Sequence, residues 1–125
     1  MKPKNIKYTL SHLWVSIDSA VAKIGITDYA NKELGDLVFI ELPQKGAKLQ
    51  KGDKFGSIES VKSVSDLETP ITGEVLGVNE MIINQPDIVN KDPYGQGWLI
   101  QQKIEKPHEI DELIDESMYI KNLND

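Results

Sequence analysis

The segment FGSIESVKSVSDLETPITGEVLGV, residues 55–78, decides how the rest of the chain is read. FGSIES and the returning ETPITGEVLGV carry apolar residues at strand spacing, so the segment predicts two strands meeting at a turn. Gly56 and Gly73 allow close backbone approach, and Pro70 ends or edges the return strand. Between them lies ESVKSVSD, Glu59 to Asp66, polar and β-branched where a turn is normally built from Gly, Asn, Asp or Pro. Lys62 therefore falls at or next to the tip. A lysine at a turn is ordinarily a solvated side chain. The alternative is a tether, since an exposed tip can be engulfed by a modifying enzyme and then presented to others. A lysine stem lengthened by a short acyl chain reaches on the order of 14 Å. Lysine amines are protonated at neutral pH, so such an attachment needs an activated acyl donor and an enzyme.

Outward from this segment the same rhythm continues in WVSI, AVAKIGI, LVFIEL and GWLIQQKI, short apolar runs separated by turn signals. The pattern predicts a mainly β fold, a sandwich or small barrel, with a β core over about 8–103. Thr27 to Gly35, TDYANKELG, has a capping Thr and a closing Gly and predicts a helix of about two turns. PDIVN after Pro86 predicts a second short helix. ELPQKG (41–46) and ETPITG (68–73) share Glu-x-Pro-x-x-Gly, as two corners related by approximate two-fold symmetry would, although turn chemistry alone also favours Pro followed by Gly. The period changes at the end, where Ile110, Leu113, Ile114 and Met118 recur at helical spacing behind an acidic start. An amphipathic C-terminal helix is expected over about 108–122, lying on one face of the sheets. The 125 residues suit one unit spanning 1–125.

Composition narrows the function. The net charge is −6 and all 14 basic residues are Lys, so the bidentate Arg contacts of nucleic-acid readers are missing and no nucleic-acid partner is expected. With no Cys, disulfides, thiolate metal sites and Cys nucleophiles are excluded, and any thiol chemistry has to come from a cofactor. His12 and His108 do not form a metal-ligand spacing, and no nucleotide-loop or nucleophile-elbow pattern occurs, so neither a metal site nor catalytic residues are expected. No run approaches the roughly 20 apolar residues of a membrane span, and MKPKNIKYTL lacks a secretory apolar core. The cytoplasm is the expected location. The acidic balance favours transient, salt-sensitive docking on basic surfaces.

From about Tyr8 to Tyr119 the chain closely resembles the H proteins of the glycine cleavage system. SHLWV, VAKIGITDYANKELGDLVFIELPQKG, GDKFGSIESVKSVSDLETPITGEVLGVNE, VNKDPYGQGWLI and the DELIDESMY segment follow that family's order and spacing; GITDYA, ESVKSVSD and DPYGQGW together are highly specific. The resemblance implies a barrel-sandwich hybrid of the lipoyl-domain kind, with short helices. It implies that Lys62 carries (R)-lipoate in amide linkage, and that the protein is a carrier, not an enzyme. A pyridoxal-phosphate glycine decarboxylase (P protein) would load an aminomethyl group on the lipoyl sulfur. A folate-dependent aminomethyltransferase (T protein) would remove the one-carbon unit, and a dihydrolipoyl dehydrogenase (L protein) would reoxidise the dithiol. A lipoyl ligase or octanoyltransferase would install the cofactor, and the carrier would be a monomer.

Residue by residue, Glu59 and Gly73 match positions tied in the family to recognition by the lipoylating enzyme; strand polarity and turn geometry account for them equally well. Ser11 and Asp66 match positions that contact the loaded arm when it folds back, which shields a hydrolysable group from water. The commonest family phrase is His-Glu-Trp, whereas this chain has His12-Leu13-Trp14, so a carboxylate that could pair with the arm's amine is absent at 13 and Asp66 is left to serve alone. Taken without the family, His12 and Trp14 read as strand and packing residues, and Trp98 as a core aromatic after a turn. Alternatives remain: a lipoyl relay or store feeding 2-oxoacid dehydrogenase complexes, a biotin carrier (whose lysine typically lies between methionines, not Val61 and Ser63), the shorter carrier domain of a 2-oxoacid dehydrogenase, or an unmodified interaction module.

Overall fold

A computed structural model describes residues 2–3 and 5–124. Two antiparallel sheets face each other. The larger takes β1 (Ile6–Tyr8), β2 (Leu13–Asp18), β3 (Val21–Ile26), β5 (Lys48–Leu49), β8 (Gly73–Val78) and β9 (Ile100–Lys103), in the order β1-β2-β3-β9-β8-β5. The smaller has β4 (Leu37–Glu41), β6 (Lys54–Ser60) and β7 (Val64–Glu68), in the order β4-β6-β7. Inward residues of both supply one core: Val15, Ala22, Ile24, Ile26 and Ile100 from the first, Leu37, Ile40, Phe55, Ile58 and Leu67 from the second. Each of these side chains larger than Ala22 contributes about 1.5–3 kcal/mol by leaving water. This is the β hybrid expected.

The two Glu-x-Pro-x-x-Gly corners occupy equivalent places. Glu41 and Glu68 are the last residues of β4 and β7, the two strands flanking β6, and the chains beyond them become β5 and β8, which pair antiparallel with Leu49 opposite Gly73. Their glycines differ. Gly46 turns at φ +94 with open space about it, whereas a Cβ on Gly73 would lie 1.7 Å from the Lys103 carbonyl oxygen. The second corner is stitched from inside by the fully buried Gln102, whose amide donates to the carbonyls of Ile71 and Gly73 at 3.0 Å and accepts from Thr69 Oγ1 at 2.7 Å.

Helix α1 (Asp28–Leu34) forms where its capping signals place it: Thr27 Oγ1 accepts from Ala30 N–H, and Gly35 N–H closes on Asn31 O. PDIVN gives α3 (Asp87–Lys91). A further helix, α2 (Glu80–Asn84), was not anticipated, because one apolar anchor, Ile82, is too little periodicity to read. Strands β1, β5 and β7 were not anticipated either; the β core starts at Ile6, not Tyr8.

The C-terminal segment corrects the sequence expectation. In place of one helix over 108–122 there are a 3-10 turn, Pro107–Glu112, and a separate helix α4, Glu116–Leu123. Between them Ile114 exchanges backbone hydrogen bonds with Tyr8 (2.8 and 3.0 Å), and that bridge breaks the helical path. Asp115 then starts α4 afresh by accepting from Met118 N–H. Consequently Met118 points outward, 49% exposed, while Tyr119 is the buried residue. In the 3-10 turn Glu109 is buried and accepts from Thr72 N–H (2.7 Å) and Thr72 Oγ1 (2.8 Å). Desolvation alone would push its carboxyl up, but those two bonds with the charges of Lys106 and His108 hold it below its ordinary value.

A second, aromatic cluster lies beside the main core. Tyr8 and Tyr119 stack with ring centres 4.6 Å apart, and Trp14 packs with Tyr94 while donating from Nε1 to Pro93 O at 3.0 Å. Trp98, expected in the core, is only half-buried at the edge of this cluster, with Lys23 Nζ 5.5 Å from its ring centre.

Candidate functional site

The lysine hairpin is tighter than the sequence suggested. Glu59 faces Val64, so most of ESVKSVSD is strand and only Ser60 to Ser63 turn. Val61 and Lys62 manage this without glycine and without a positive φ. The device is Ser60, whose hydroxyl oxygen accepts from Lys62 N–H and Ser63 N–H, both at 3.1 Å, while its own N–H donates to Ser63 O at 2.8 Å. A serine side chain thus does the work that Asn or Gly does in other turns.

Lys62 is exposed at this tip and belongs to none of the ion pairs among the described residues. Its stem runs over Gly35, at the end of α1: a methyl at Gly35 would sit 3.0 Å from Lys62 Cε and 3.6 Å from Nζ. That corner is fixed from two sides. Val61 N–H donates to Asp36 O at 3.1 Å, and the Asn90 side chain of α3 bonds to Gly35 O (2.9 Å), Asn31 Oδ1 (2.7 Å) and Leu37 N–H (3.0 Å). Around the tip Val38, Phe39, Val61 and Val64 are each half or more exposed, and Phe39, Glu59 and Val64 are successive cross-strand neighbours. An apolar collar of this kind suits an enzyme that must cover the lysine.

Alongside runs a cleft of about 200 Å³. One wall is the β1–β2 turn, with Ser11, His12 and Leu13; α1 gives Tyr29, Ala30, Glu33 and Leu34. Ile58, Ser65, Asp66 and Leu67 of β6 and β7 complete it. Under the β1–β2 turn His12 adopts φ +71, a left-handed conformation that few non-glycine residues hold without support. The support is a chain of bonds: His12 Nδ1 to Tyr119 Oη at 2.8 Å, Tyr119 Oη to Thr27 Oγ1 at 2.8 Å, with Thr27 the cap of α1. His12 also lies against Tyr29, ring centres 4.6 Å apart. Desolvation lowers the His12 pKa, with the Glu33 charge opposing, and the same carboxylate raises that of Tyr29.

Of the residues singled out from sequence, Lys62, Ser11 and Asp66 come together at the tip and the adjoining cleft. Ser11 Oγ is 2.9 Å from Thr9 Oγ1, and Asp66 pairs with Lys54 at 3.3 Å. Glu59 lies on the exposed outer face of β6. Gly73 is at the other end of the hairpin, past the Lys54–Glu68 pair, where close packing already requires glycine. Sequence reading missed Ser60, Gly35, Asn90, Glu33 and Tyr119. Ser60 and Gly35 carried a local signal, a hydroxyl two residues before the lysine and a helix-closing glycine. The other three act through contacts distant in sequence and carried none. Among the described residues no group of three or more His, Asp or Glu could hold a metal, and no helix is long and apolar enough to cross a membrane.

A β scaffold that holds an exposed lysine on a hairpin tip, with a mainly apolar cleft of about 200 Å³ alongside, is an arrangement that suits a swinging-arm carrier. The profile of the family described as glycine cleavage H-protein matches residues 6–125. The chain is 49% identical over 123 residues to the glycine cleavage system H protein of Carboxydothermus hydrogenoformans, covering 98% of this chain and 95% of that one. It is 48% identical to the mitochondrial H protein of Oryza sativa subsp. indica, over 94% of this chain and 71% of that one. A crystal structure of an H protein from Mycobacterium marinum superposes with a TM-score of 0.86 at 33% identity, covering 98% of both chains. The chain belongs to the glycine cleavage H-protein family.

Proposed function

We propose that Lys62 is the lipoyl-bearing residue through which this chain works. The chain is the lipoyl carrier component of the glycine cleavage system and not itself a catalyst; this function, not lipoyl relay or storage, is the one its family supports. The residues present fit (R)-lipoate: an exposed amine in none of the ion pairs among the described residues is available for an amide, its stem is already guided over Gly35, and a mainly apolar cleft lies next to it. When bound, the dithiolane would supply the sulfur that a cysteine-free chain lacks, to accept the aminomethyl group and carry the electrons later removed. The protein's own part is to present, orient and shelter. Ser60 fixes the tip so that a lipoyl ligase or octanoyltransferase meets one geometry, with Glu59 on the approach face. Gly73 keeps the second corner close-packed. Ser11 and Asp66 offer polar contacts at the mouth of the cleft for the arm when it folds back.

The partners in this reading are glycine decarboxylase, the folate-dependent aminomethyltransferase and dihydrolipoyl dehydrogenase, each met in turn by a monomeric carrier in the cytoplasm. The observation that supports it most is the placement of Lys62, alone at a stiffened tip with apolar side chains around it. The test is peptide mass spectrometry after incubation with lipoate, ATP and an active lipoyl ligase. One lipoyl adduct on the Lys62 peptide is expected, and none in Lys62→Ala. No adduct on the wild-type chain, with the ligase active on a known substrate, overturns the assignment.

A further inference from the structure

Val38 and Phe39 are neighbours in β4, and alternation along a strand should bury one of them. Both are at least half exposed. The reason is a bulge: the ladder from β4 to β6 places Leu37 opposite Ser60 and Phe39 opposite Glu59, so Val38 is the extra residue. Where the register shifts, Leu37 N–H donates to Asn90 Oδ1 at 3.0 Å. The same side-chain amide donates both its hydrogens to the segment before β4, to Gly35 O at 2.9 Å and Asn31 Oδ1 at 2.7 Å, and Asn31 Nδ2 donates back to Asn90 O at 3.0 Å. Between Gly35 and Leu37 lies Asp36, whose carbonyl accepts at 3.1 Å from the N–H of Val61, the residue before Lys62. Asn90 has its own anchor, away from the tip. Its helix, α3, is pinned by Val89, fully buried in the main core, and by Gly97, where a Cβ would lie 2.8 Å from Val89 Cα.

We propose that Asn90 is a positioning residue for the modification of Lys62: it holds the β4 bulge against the lysine tip, so that Val38 and Phe39 join Val61 and Val64 in one apolar surface, which the lipoylating enzyme covers when it reaches the amine. This goes beyond the assignment of Lys62 and rests on it. The choice of partner follows from reach. A bare lysine extends about 6 Å from its Cα, so an enzyme that acylates the amine has to close on the side chains around it, whereas one working at the far end of an acylated arm stands off by on the order of 14 Å. A surface drawn from two separate strands matches an enzyme only while its halves keep their spacing, and a mobile half adds an ordering cost to each encounter. Asn90 sets that spacing through Gly35 and Leu37, with the Asp36 carbonyl carrying it to Val61.

The test uses the full chain with lipoate, ATP and a lipoyl ligase, at a temperature where every variant is folded. It reads KM and kcat for the carrier, together with hydrogen exchange at the Leu37 and Val61 amides. Asn90→Ala should quicken exchange at both amides and raise KM about tenfold, the loss of one well-packed interface residue, with kcat unchanged as a defect confined to binding requires. Phe39→Ser, an exposed substitution that leaves the clamp alone, should raise KM to a similar extent with exchange unchanged. The double variant should be little worse than either, because both changes act on one surface. After lipoylation, dihydrolipoyl dehydrogenase should turn over wild type and Asn90→Ala alike. Faster exchange in Asn90→Ala with a wild-type KM overturns the inference and leaves Lys62 as the lipoyl site. So does a KM effect that Phe39→Ser does not share, one that multiplies in the double variant, or an equal loss with the dehydrogenase, which would mark a general loosening of the fold. No adduct on the wild-type chain, with the ligase active on a known substrate, overturns the Lys62 assignment and this inference together.

Discussion

The hairpin that carries Lys62 and the cleft beside it are built in opposite ways. The tip is mostly local: three residues join β6 to β7, Ser60 accepts from Lys62 and Ser63 within the turn, and Val61 N–H reaches out, to Asp36 O. The cleft is assembled from chain segments far apart in sequence, and its wall at the β1–β2 turn stands on Tyr119, 107 residues from the His12 it supports. A carrier needs both. The tip must look the same to every enzyme whatever the rest of the fold is doing, whereas the cleft has only to admit and release one chain. The difference implies that damage to the cleft's foundation should leave modification of Lys62 nearly untouched.

Tyr119→Ala is the largest blow that separates the two. It removes the stack on Tyr8 and both hydrogen bonds that link His12 to the cap of α1. Loss of a buried aromatic costs about 3–5 kcal/mol, expected as a lower urea midpoint. At a temperature where the variant is still folded, its rate of lipoylation should match wild type. If that rate falls in step with stability, the hairpin is not autonomous and the contrast fails.

The same contrast explains what could be read in advance. Strands flagged by β-branched, alternating residues, the caps Thr27 and Gly35, and the lysine itself are signals carried within a few residues, and the structure has them where the pattern put them. The terminal helix was misread because Ile114 is spent on a backbone bridge to Tyr8, a contact the local pattern does not contain; Ile110, Leu113 and Met118 keep helical spacing without sharing a helix. β7 was taken for turn because, beside the polar Ser65 and Asp66, only one buried apolar residue, Leu67, marks it as a strand. Glu33 drew no notice, since a glutamate on a short helix is ordinarily solvated and only the position of α1 against β7 gives it a cleft to face.

A smaller change tests the other half of the comparison. Ser60→Ala removes the acceptor of the Lys62 and Ser63 amides but keeps the Ser60–Ser63 backbone bond. Water can replace the lost partner at an exposed tip, so the global cost should be about 1 kcal/mol or less. Hydrogen exchange at those two amides should quicken and lipoylation slow, while the methyls of Leu34 and Leu67 in the cleft keep their shifts. Slower lipoylation with unchanged amide exchange would mean that the serine acts on the modifying enzyme directly and not by stiffening the turn.

The smallest effect belongs to His12, which is still partly in contact with solvent. Its folded pKa lies below its ordinary value because burial disfavours the imidazolium, and the Glu33 charge only partly offsets this. The unfolded chain therefore binds the proton more readily than the folded one, so the contribution of neutral His12 is complete above its ordinary value and drains away as pH falls below that, through the folded pKa. In the neutral tautomer protonated at Nε2, Nδ1 accepts from Tyr119 O–H and Thr27 can donate to the tyrosine oxygen; an imidazolium would make Nδ1 a donor and reverse both bonds. Glu109 and Glu116, both held below their usual values, lose their contributions only at lower pH, so a melting series between about pH 7.5 and 5 isolates the histidine. His12→Asn suits as the control because Asn tolerates the left-handed backbone at this position. Wild type should lose melting temperature across that range and His12→Asn should lose less. Parallel curves would mean that the neutral imidazole contributes nothing to holding the wall of the cleft, and that the His12 to Tyr119 bond follows the fold instead of supporting it.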